Sequence, residues 1–373
     1  MTLTNIRALE FYSGIGGLHV ALQRSTVDGE VVRAFDWDQA ACQVYDHFHG
    51  LKIVQRVDIT TLTAGDMAVH GANLWLMSPS CQPYTVLNPL AKGADDPRAK
   101  SFIHLIDDVL PELVSAGMHP THILVENVAG FETSSTRQNV LKTLDRLGYT
   151  TMELLLTPLQ YGVPNSRLRY YLLAKAKSSP FAYSDAPSSR VWRHIPGQGE
   201  DWIDPRLDTE LDAVTSISRL QDFLDDDAAA ATTIVATIPD RVLEKWGRLF
   251  DIVLPSQRRS CCFTRGYTRL VERAGSILQM NEELDTTVLF NIFLEAQSRE
   301  DSKALEILAP LRLRYFTPSE LLRIFGFNAS RSDGLIEDEF LWPPGLTAKT
   351  QYKLIGNSVN VGVVTKLIDY LFK

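Results

Sequence analysis

The chain has few of the features that would assign it quickly. It holds four cysteines in 373 residues, at 42, 81, 261 and 262. They form no Cys-x-x-Cys pair, and no histidine stands beside them at ligand spacing, which predicts free thiols and no zinc. No apolar run approaches the ~18 residues of a membrane span. The opening Met1-Thr2-Leu3-Thr4-Asn5-Ile6-Arg7 lacks the charged-then-apolar plan of a signal peptide, so the sequence predicts an intracellular, cytoplasmic or nuclear protein with no membrane partner. Basic charge is also short, with 37 Lys and Arg against 45 Asp and Glu and a net charge of −8. Taken alone, that balance argues against a nucleic-acid partner, because phosphate binding draws on cations.

The deficit is uneven. Ten acids against two arginines fill 200–227, whereas 241–273 carries eight basic residues against three acids, interleaved with Trp246, Phe250, Phe263 and Tyr267. Cations among aromatics are the composition of a single-stranded nucleic-acid surface, with a plain solvated face as the alternative. Arg258, Arg259, Arg265 and Arg269 are the candidate phosphate contacts.

Residues 7–175 alternate short apolar strands with amphipathic helices. Strands are expected at Arg7–Tyr12, Val31–Asp36, Leu74–Met77, His122–Glu126, Thr150–Leu156 and Leu168–Ala174. Helices are expected at Gly17–Ser25, Gln39–Phe48, Ser101–Ser115 and Thr136–Leu147. The alternation predicts an α/β fold around a doubly wound, mostly parallel sheet. The pattern fails near Lys177, and an acidic, Ala-rich stretch to Ala231 reads as an inserted region, poorly ordered at about 200–240. Order should return near Val242, with later helices at Pro318–Phe325 and Asn360–Leu371. The expected division is 1–176, an insertion at 177–310, and a last part at 311–373.

The most informative stretch is Ser78-Pro-Ser-Cys-Gln-Pro-Tyr-Thr85, a cysteine in a Pro-kinked loop after the apolar run Leu74–Met77. Such a loop presents a thiol at the rim of a sheet, where α/β enzymes keep their chemistry. Cys81 is therefore the candidate nucleophile. After the first strand, Tyr12-Ser-Gly-Ile-Gly-Gly17 offers a glycine turn feeding a helix, without the Gly-x-Gly-x-x-Gly dinucleotide spacing. The second strand ends in Asp36-Trp37, an acid for ribose hydroxyls and an indole for either an adenine face or core packing. Asp58-Ile59 adds an acid able to accept from an adenine amino group, and together these describe an adenosine site. Glu126 ends a buried-looking strand, where an acid is costly unless it serves a partner or a reaction; capping the next element is the alternative. Arg167 and Arg169 share a face of an extended segment, positioned for a polar ring, a phosphate or a carboxylate, or for surface ion pairs.

In this order, the glycine turn, acid-Trp, Asp-Ile, Pro-x-Cys-Gln, Glu-Asn-Val, Gln-x-Gly-x-Pro-x-x-Arg-x-Arg and a terminal Gly-Asn-Ser-Val resemble the cytosine-5 methyltransferases that use S-adenosylmethionine. Cys262-Phe-Thr264 followed by Arg265-Gly-Tyr267, and Arg314-Tyr-Phe-Thr-Pro318, resemble one branch. That branch is the transfer-RNA enzymes first named as a second class of eukaryotic DNA methyltransferase. The match covers about Arg7–Lys175 and Val242–Lys373. The resemblance implies a Rossmann-like S-adenosylmethionine-dependent domain with a smaller target-recognition insertion, and a methyl donor bound by Tyr12, Gly14, Ile15, Gly16, Gly17, Asp36, Trp37, Asp58, Ile59 and Ser78, joined by Asn357 and Ser358. An ordinary turn before a helix is the alternative for the last two. It also implies that Cys81 adds to carbon 6, Glu126 relieves charge at the ring nitrogen, Arg169 holds the exocyclic oxygen and Arg167 supports the loop carrying the nucleophile. The implied substrate is a cytosine at position 38, in the anticodon loop of aspartate transfer RNA, with DNA as the second choice. A target already in a hairpin loop avoids much of the unstacking that extraction from a duplex requires. One departure stands out: Ser80, where relatives have Pro, precedes Cys81 and is expected to loosen its loop. It motivates a third reading, a weakly active or inactive RNA-binding protein.

Overall fold

The computed structural model describes residues 5–50, 52–82, 84, 96–177, 181, 190–203, 216–226, 236–330 and 339–373. The apolar strands pair as the alternation predicts. β1 (Ile6–Phe11), β2 (Gly29–Asp36), β3 (Val54–Arg56), β4 (Leu74–Met77), β5 (His122–Val128), β6 (Tyr149–Leu156), β7 (Arg169–Ala176) and β8 (Val191–Trp192) form one sheet in the order β3-β2-β1-β4-β5-β7-β6-β8. Neighbours from β3 to β5 run parallel, and β7 is antiparallel to both β5 and β6. The sheet is therefore the mostly parallel one read from the sequence.

Buried strands of this kind send alternate side chains to two covered faces. Ala8, Leu74, Leu76, Leu124 and Leu154 enter one core with the C-terminal helices. Leu9, Phe11, Trp75, Met77, Ile123 and Val125 enter the other, under Lys100–Ser115 and Ser135–Arg146. The final helix, Val361–Leu371, contributes Val364, Leu367 and Ile368 to the first core, and Thr365 Oγ1 donates to Ala21 O in helix Gly17–Gln23. A smaller sheet of β9 (Ile252–Val253), β10 (Ile277–Gln279) and β11 (Leu313–Arg314) packs near helix Thr286–Ser298, whose Phe290 and Phe293 meet Leu308 and Leu311 in a separate cluster.

Three expectations change. A helix at Ala348–Asn357, capped by Thr347, adds to those expected from the sequence; it buries Tyr352, Leu354 and Ile355. Asn357 and Ser358 are consequently the end and C-cap of this helix, not an isolated turn. The third concerns the stretch expected to lack order. Of it, 204–215 and 227–235 lie outside the described residues, but 216–226 is packed. Ile217, Leu220, Phe223 and Leu224 are buried, and Asp225 accepts from Thr317 Oγ1 at 2.6 Å and from Arg323 at 2.8 Å. Its acids are partners for the helix Pro318–Ile324, which composition alone hides.

Candidate active site

The parallel strands β1, β2 and β4 end at one edge, and the loops that follow them are laced together there. Ser13 N donates to Phe35 O, and Ser78 donates from N to Phe11 O and from Oγ to Tyr12 O at 2.9 Å. Asp36, 8% exposed, accepts from Gly14 N and from Asp38 N, both at 2.8 Å, one on each carboxylate oxygen. Burial raises its pKa against these two bonds. Asp36 thus first braces the glycine turn, and the lone pairs that remain are what it offers a ribose. Trp37 is not packed in the core, for the residue is 75% exposed.

The glycines divide in role. Gly14 has φ +53 and open space where a side chain would stand. A Cβ on Gly16 would lie 2.0 Å from His49 Nε2, and one on Gly17 would lie 2.9 Å from Ser358 Oγ. These two let the turn rest on His49 and on the C-terminal segment. Ile15 and Ile59, expected at a ligand surface, are instead core residues, 1% and 5% exposed, as apolar side chains between sheet and helix should be. Asp58 is exposed and its pKa is lowered by bonds from Thr60 N and Oγ1. Tyr12 Oη donates to Ser101, and Asn357 is exposed. Lys353 ties the same helix to the turn through a 2.6 Å pair with Asp38, which the sequence did not signal.

Cys81 leaves the end of β4 on a loop of which Pro83 and Thr85 lie outside the described residues. The loop is held at Pro79, whose carbonyl accepts from Asn127 Nδ2 at 3.2 Å, and at Cys81, whose carbonyl accepts from Tyr84 N. Arg98 donates to Gln82 Oε1 and belongs to the charges that reach the thiol. Cys81 is exposed at the surface, yet protein crowds its sulfur. Loss of water raises its pKa, and Glu126 adds to the rise; Arg169, Arg167 and Arg265 pull it down without reversing it. The positive neighbourhood expected for a thiolate is present but does not prevail in the free protein.

Glu126, at the end of β5, lies 3.3 Å from Arg169 Nε. Burial raises its pKa despite Arg169 and Arg167, so the carboxyl holds its proton more readily than an exposed one. Arg169 opens β7, antiparallel to β5, which is what carries the two side chains together. Arg167 departs from expectation. Its guanidinium donates to Phe263 O at 2.9 Å, Gly356 O at 3.3 Å and Ser358 O at 2.6 Å, and none of its bonds among the described residues reaches the loop carrying Cys81. A buried guanidinium needs acceptors, and here Phe263 and the end of helix Ala348–Asn357 supply them. Both arginines also reach Cys262 Sγ, at 3.5 and 3.6 Å, and lower its pKa against burial. The sequence marked Cys262 only as part of a resemblance.

The nucleic-acid candidates separate as well. Arg259 pairs with Asp251 at 2.7 Å, and Arg258 donates to Ile217 O, so both are bonded within the protein. Phe263 and Tyr267 are core residues, while Arg265 and Arg269 are exposed.

The family model described as C-5 cytosine-specific DNA methylase matches residues 6–373. A Bos taurus protein named tRNA (cytosine(38)-C(5))-methyltransferase is 36% identical over 409 residues, covering 98% of this chain and 99% of the relative. One of the same name from Schizosaccharomyces pombe is 36% identical, covering 100% of this chain and 98% of its own. The crystal structure of the S. pombe Dnmt2 methyltransferase superposes with a TM-score of 0.73 at 35% identity, over 99% of this chain and 98% of that one.

Proposed function

The chain belongs to the C-5 cytosine-specific DNA methylase family, and we propose that it methylates carbon 5 of a cytosine in transfer RNA, with S-adenosylmethionine as methyl donor. The observation that carries the reading is the convergence of Cys81, Glu126 and Arg169 at the ends of β4, β5 and β7, with Arg169 3.3 Å from Glu126 and both charges felt at the thiol. Relatives that carry the transfer-RNA name match over nearly the whole chain. Those names point to cytosine 38 as the target; its place in the anticodon loop, and aspartate transfer RNA as the carrier, are part of the proposal.

The residues at the β1–β2 edge suit the donor. The exposed Trp37 offers a flat face, Gly14 leaves room for close approach, Asp58 is an exposed acid, and Ser13 Oγ is buried without a partner. Tyr12, Gly14, Asp36, Trp37, Asp58, Ser78, Asn357 and Ser358 would hold it, with Ile15, Gly16, Gly17 and Ile59 shaping the turn from behind. S-adenosylmethionine supplies an electrophilic methyl group there. The base chemistry falls to this chain. Cytosine carbon 5 is a weak nucleophile, so the Cys81 thiolate adds to carbon 6 and the ring becomes enamine-like. Burial raises the pKa of Glu126, which favours its sharing a proton with the ring nitrogen, and the Arg169 guanidinium offers donors to the exocyclic oxygen. After methylation at carbon 5, loss of the proton there expels the Cys81 thiolate and restores the aromatic ring. Arg167 acts at one remove, holding the segments that bear Cys262 and Ser358.

The test is transfer of labelled methyl from S-adenosylmethionine to total transfer RNA or to genomic DNA, beside Cys81→Ala. Label in RNA alone, abolished in the variant, is expected. Label only in DNA would move the enzyme to the second substrate, and neither would favour an RNA-binding protein.

A further inference from the structure

Phe263 and Tyr267 of the sequence's cation-and-aromatic segment turn inward, but another part of it lines a cavity. Helix Asp240–Trp246, Phe250, the loop Thr268–Val271 and Tyr315 enclose about 420 Å³, within the roughly 300–1,000 Å³ of pockets that take small-molecule-sized groups. Its lining includes Arg241, Lys245 and Arg269 and no carboxylate. Among the described residues none of the three cations has an ion-pair partner, unlike Arg259 with Asp251. The aromatic wall is Trp246, 39% exposed, with Lys245 Nζ 4.9 Å from its ring centroid. Opposite it, Leu270 is 64% exposed on a loop whose Thr268 adopts φ 68, a left-handed conformation that a β-branched residue takes only under constraint.

The cavity's loop also follows directly on a residue whose charge is felt at the thiol. Arg265 contributes to the charge at Cys81, and Arg269 follows four residues later, its backbone at most about 14 Å from that of Arg265.

We propose that this cavity binds one unpaired nucleotide of the RNA, a few positions from the methylated cytosine. The base stacks on Trp246, and its phosphates contact Lys245 and the neighbouring arginines. A stacking face is tolerant of base identity, and three uncompensated cations suit phosphates, so the chemistry fits a splayed single-stranded loop better than a duplex. This inference rests on the transfer-RNA reading above.

The experiment uses the full-length protein, labelled S-adenosylmethionine and total transfer RNA. Trp246→Ala should raise KM for RNA at least about fivefold, the lower end for losing one base stack, with kcat at saturating RNA and KM for S-adenosylmethionine unchanged. Trp246→Phe should stay within about twofold of the parent, since any aromatic face serves. Lys245→Gln should reduce the slope of log affinity against log salt by about 0.7–0.9, one phosphate contact. A parent that methylates transfer RNA, with an unchanged KM in Trp246→Ala or an unchanged salt slope in Lys245→Gln, would overturn the cavity's role. So would a Phe variant as impaired as the Ala one. A parent that leaves transfer RNA unmethylated sinks the substrate reading instead.

Discussion

Cys81 and Cys262 are both surrounded by arginine, yet their thiols move in opposite directions. At Cys262 the close charges of Arg167 and Arg169, and after them the hydrogen bonds they donate, outweigh burial. Cys81 has the same charges only at longer range, with the Glu126 carboxyl beside it, and desolvation prevails. Alkylation by iodoacetamide, followed at each cysteine by peptide mass spectrometry across pH, reports this difference because only the thiolate reacts. The midpoint for Cys81 should lie above that for Cys262. Glu126→Gln removes a negative charge and should lower the Cys81 midpoint, whereas Arg169→Gln removes the largest opposing charge and should raise it. Shifts of the same sign in both variants would show that the thiol responds to packing rather than to charge. The active form then depends on Cys81 losing a proton beside the Glu126 carboxyl, whose own pKa burial raises. Substrate that displaces Arg169 from Glu126 toward the base would shift both groups together.

At the scale of elements, β1 and the two helices that follow meet over a buried polar chain. Glu10, fully buried, lies 2.8 Å from Tyr45 Oη, which lies 2.8 Å from His19 Nδ1; the His19 ring stacks on His49 at 3.9 Å, under the glycine turn. Burial raises the Glu10 pKa to about 8 and lowers that of His19 to about 4, so near neutrality the chain carries a neutral acid and a neutral imidazole. Because the folded pKa of Glu10 is raised, the folded state binds a proton that the unfolded chain has released above about 4.5. Its contribution is complete below that pH and is lost as pH rises through about 8, an effect on the order of a few kcal/mol. Glu10→Gln keeps an acceptor and a donor without titrating. Its melting temperature, compared with the parent at pH 5.5 and pH 8.5, should gain on the parent at the higher pH; a constant difference would refute a proton on Glu10. The sequence did not reveal this chain, since Glu10 reads simply as part of the strand. Six strands, by contrast, were legible to within two residues because two-sided burial writes continuous apolar runs, as in Leu74–Met77 and His122–Val128; β3 and β8 to β11, of two or three residues each, are too short to write one. Cys81, Glu126 and Arg169 were legible because each stands at a strand end. Arg167's acceptors and the Asp38–Lys353 pair were not, because they join segments 189 and 315 residues apart.

Across the whole molecule, both ends of the chain and the middle segment meet at one place, the end of helix Ala348–Asn357. Gly17 of the first turn approaches Ser358, and Arg167 clasps the carbonyls of Gly356 and Ser358. The Cys262-Phe-Thr264 segment closes the contact. A Cβ on Gly356 would lie 2.2 Å from the Thr264 carbonyl carbon and 2.3 Å from Arg265 N, both backbone atoms that cannot turn aside. The glycine is therefore required for approach rather than for its own dihedral angles. Thr264 and Arg265 continue from Cys262, which holds both arginines, toward the charge that reaches Cys81. Gly356→Ala should push that segment outward and spoil the placement of Arg169 and Arg265 together. A displacement of about 1 Å at a catalytic constellation costs on the order of 100-fold. Methyl transfer at saturating RNA should fall by about that factor, while Gly345→Ala, at an open site with φ +81, should cost stability without a comparable loss of rate. If Gly356→Ala transferred methyl groups at the parental rate, the C-terminal helix would be a packing element and not part of what holds the active site in register.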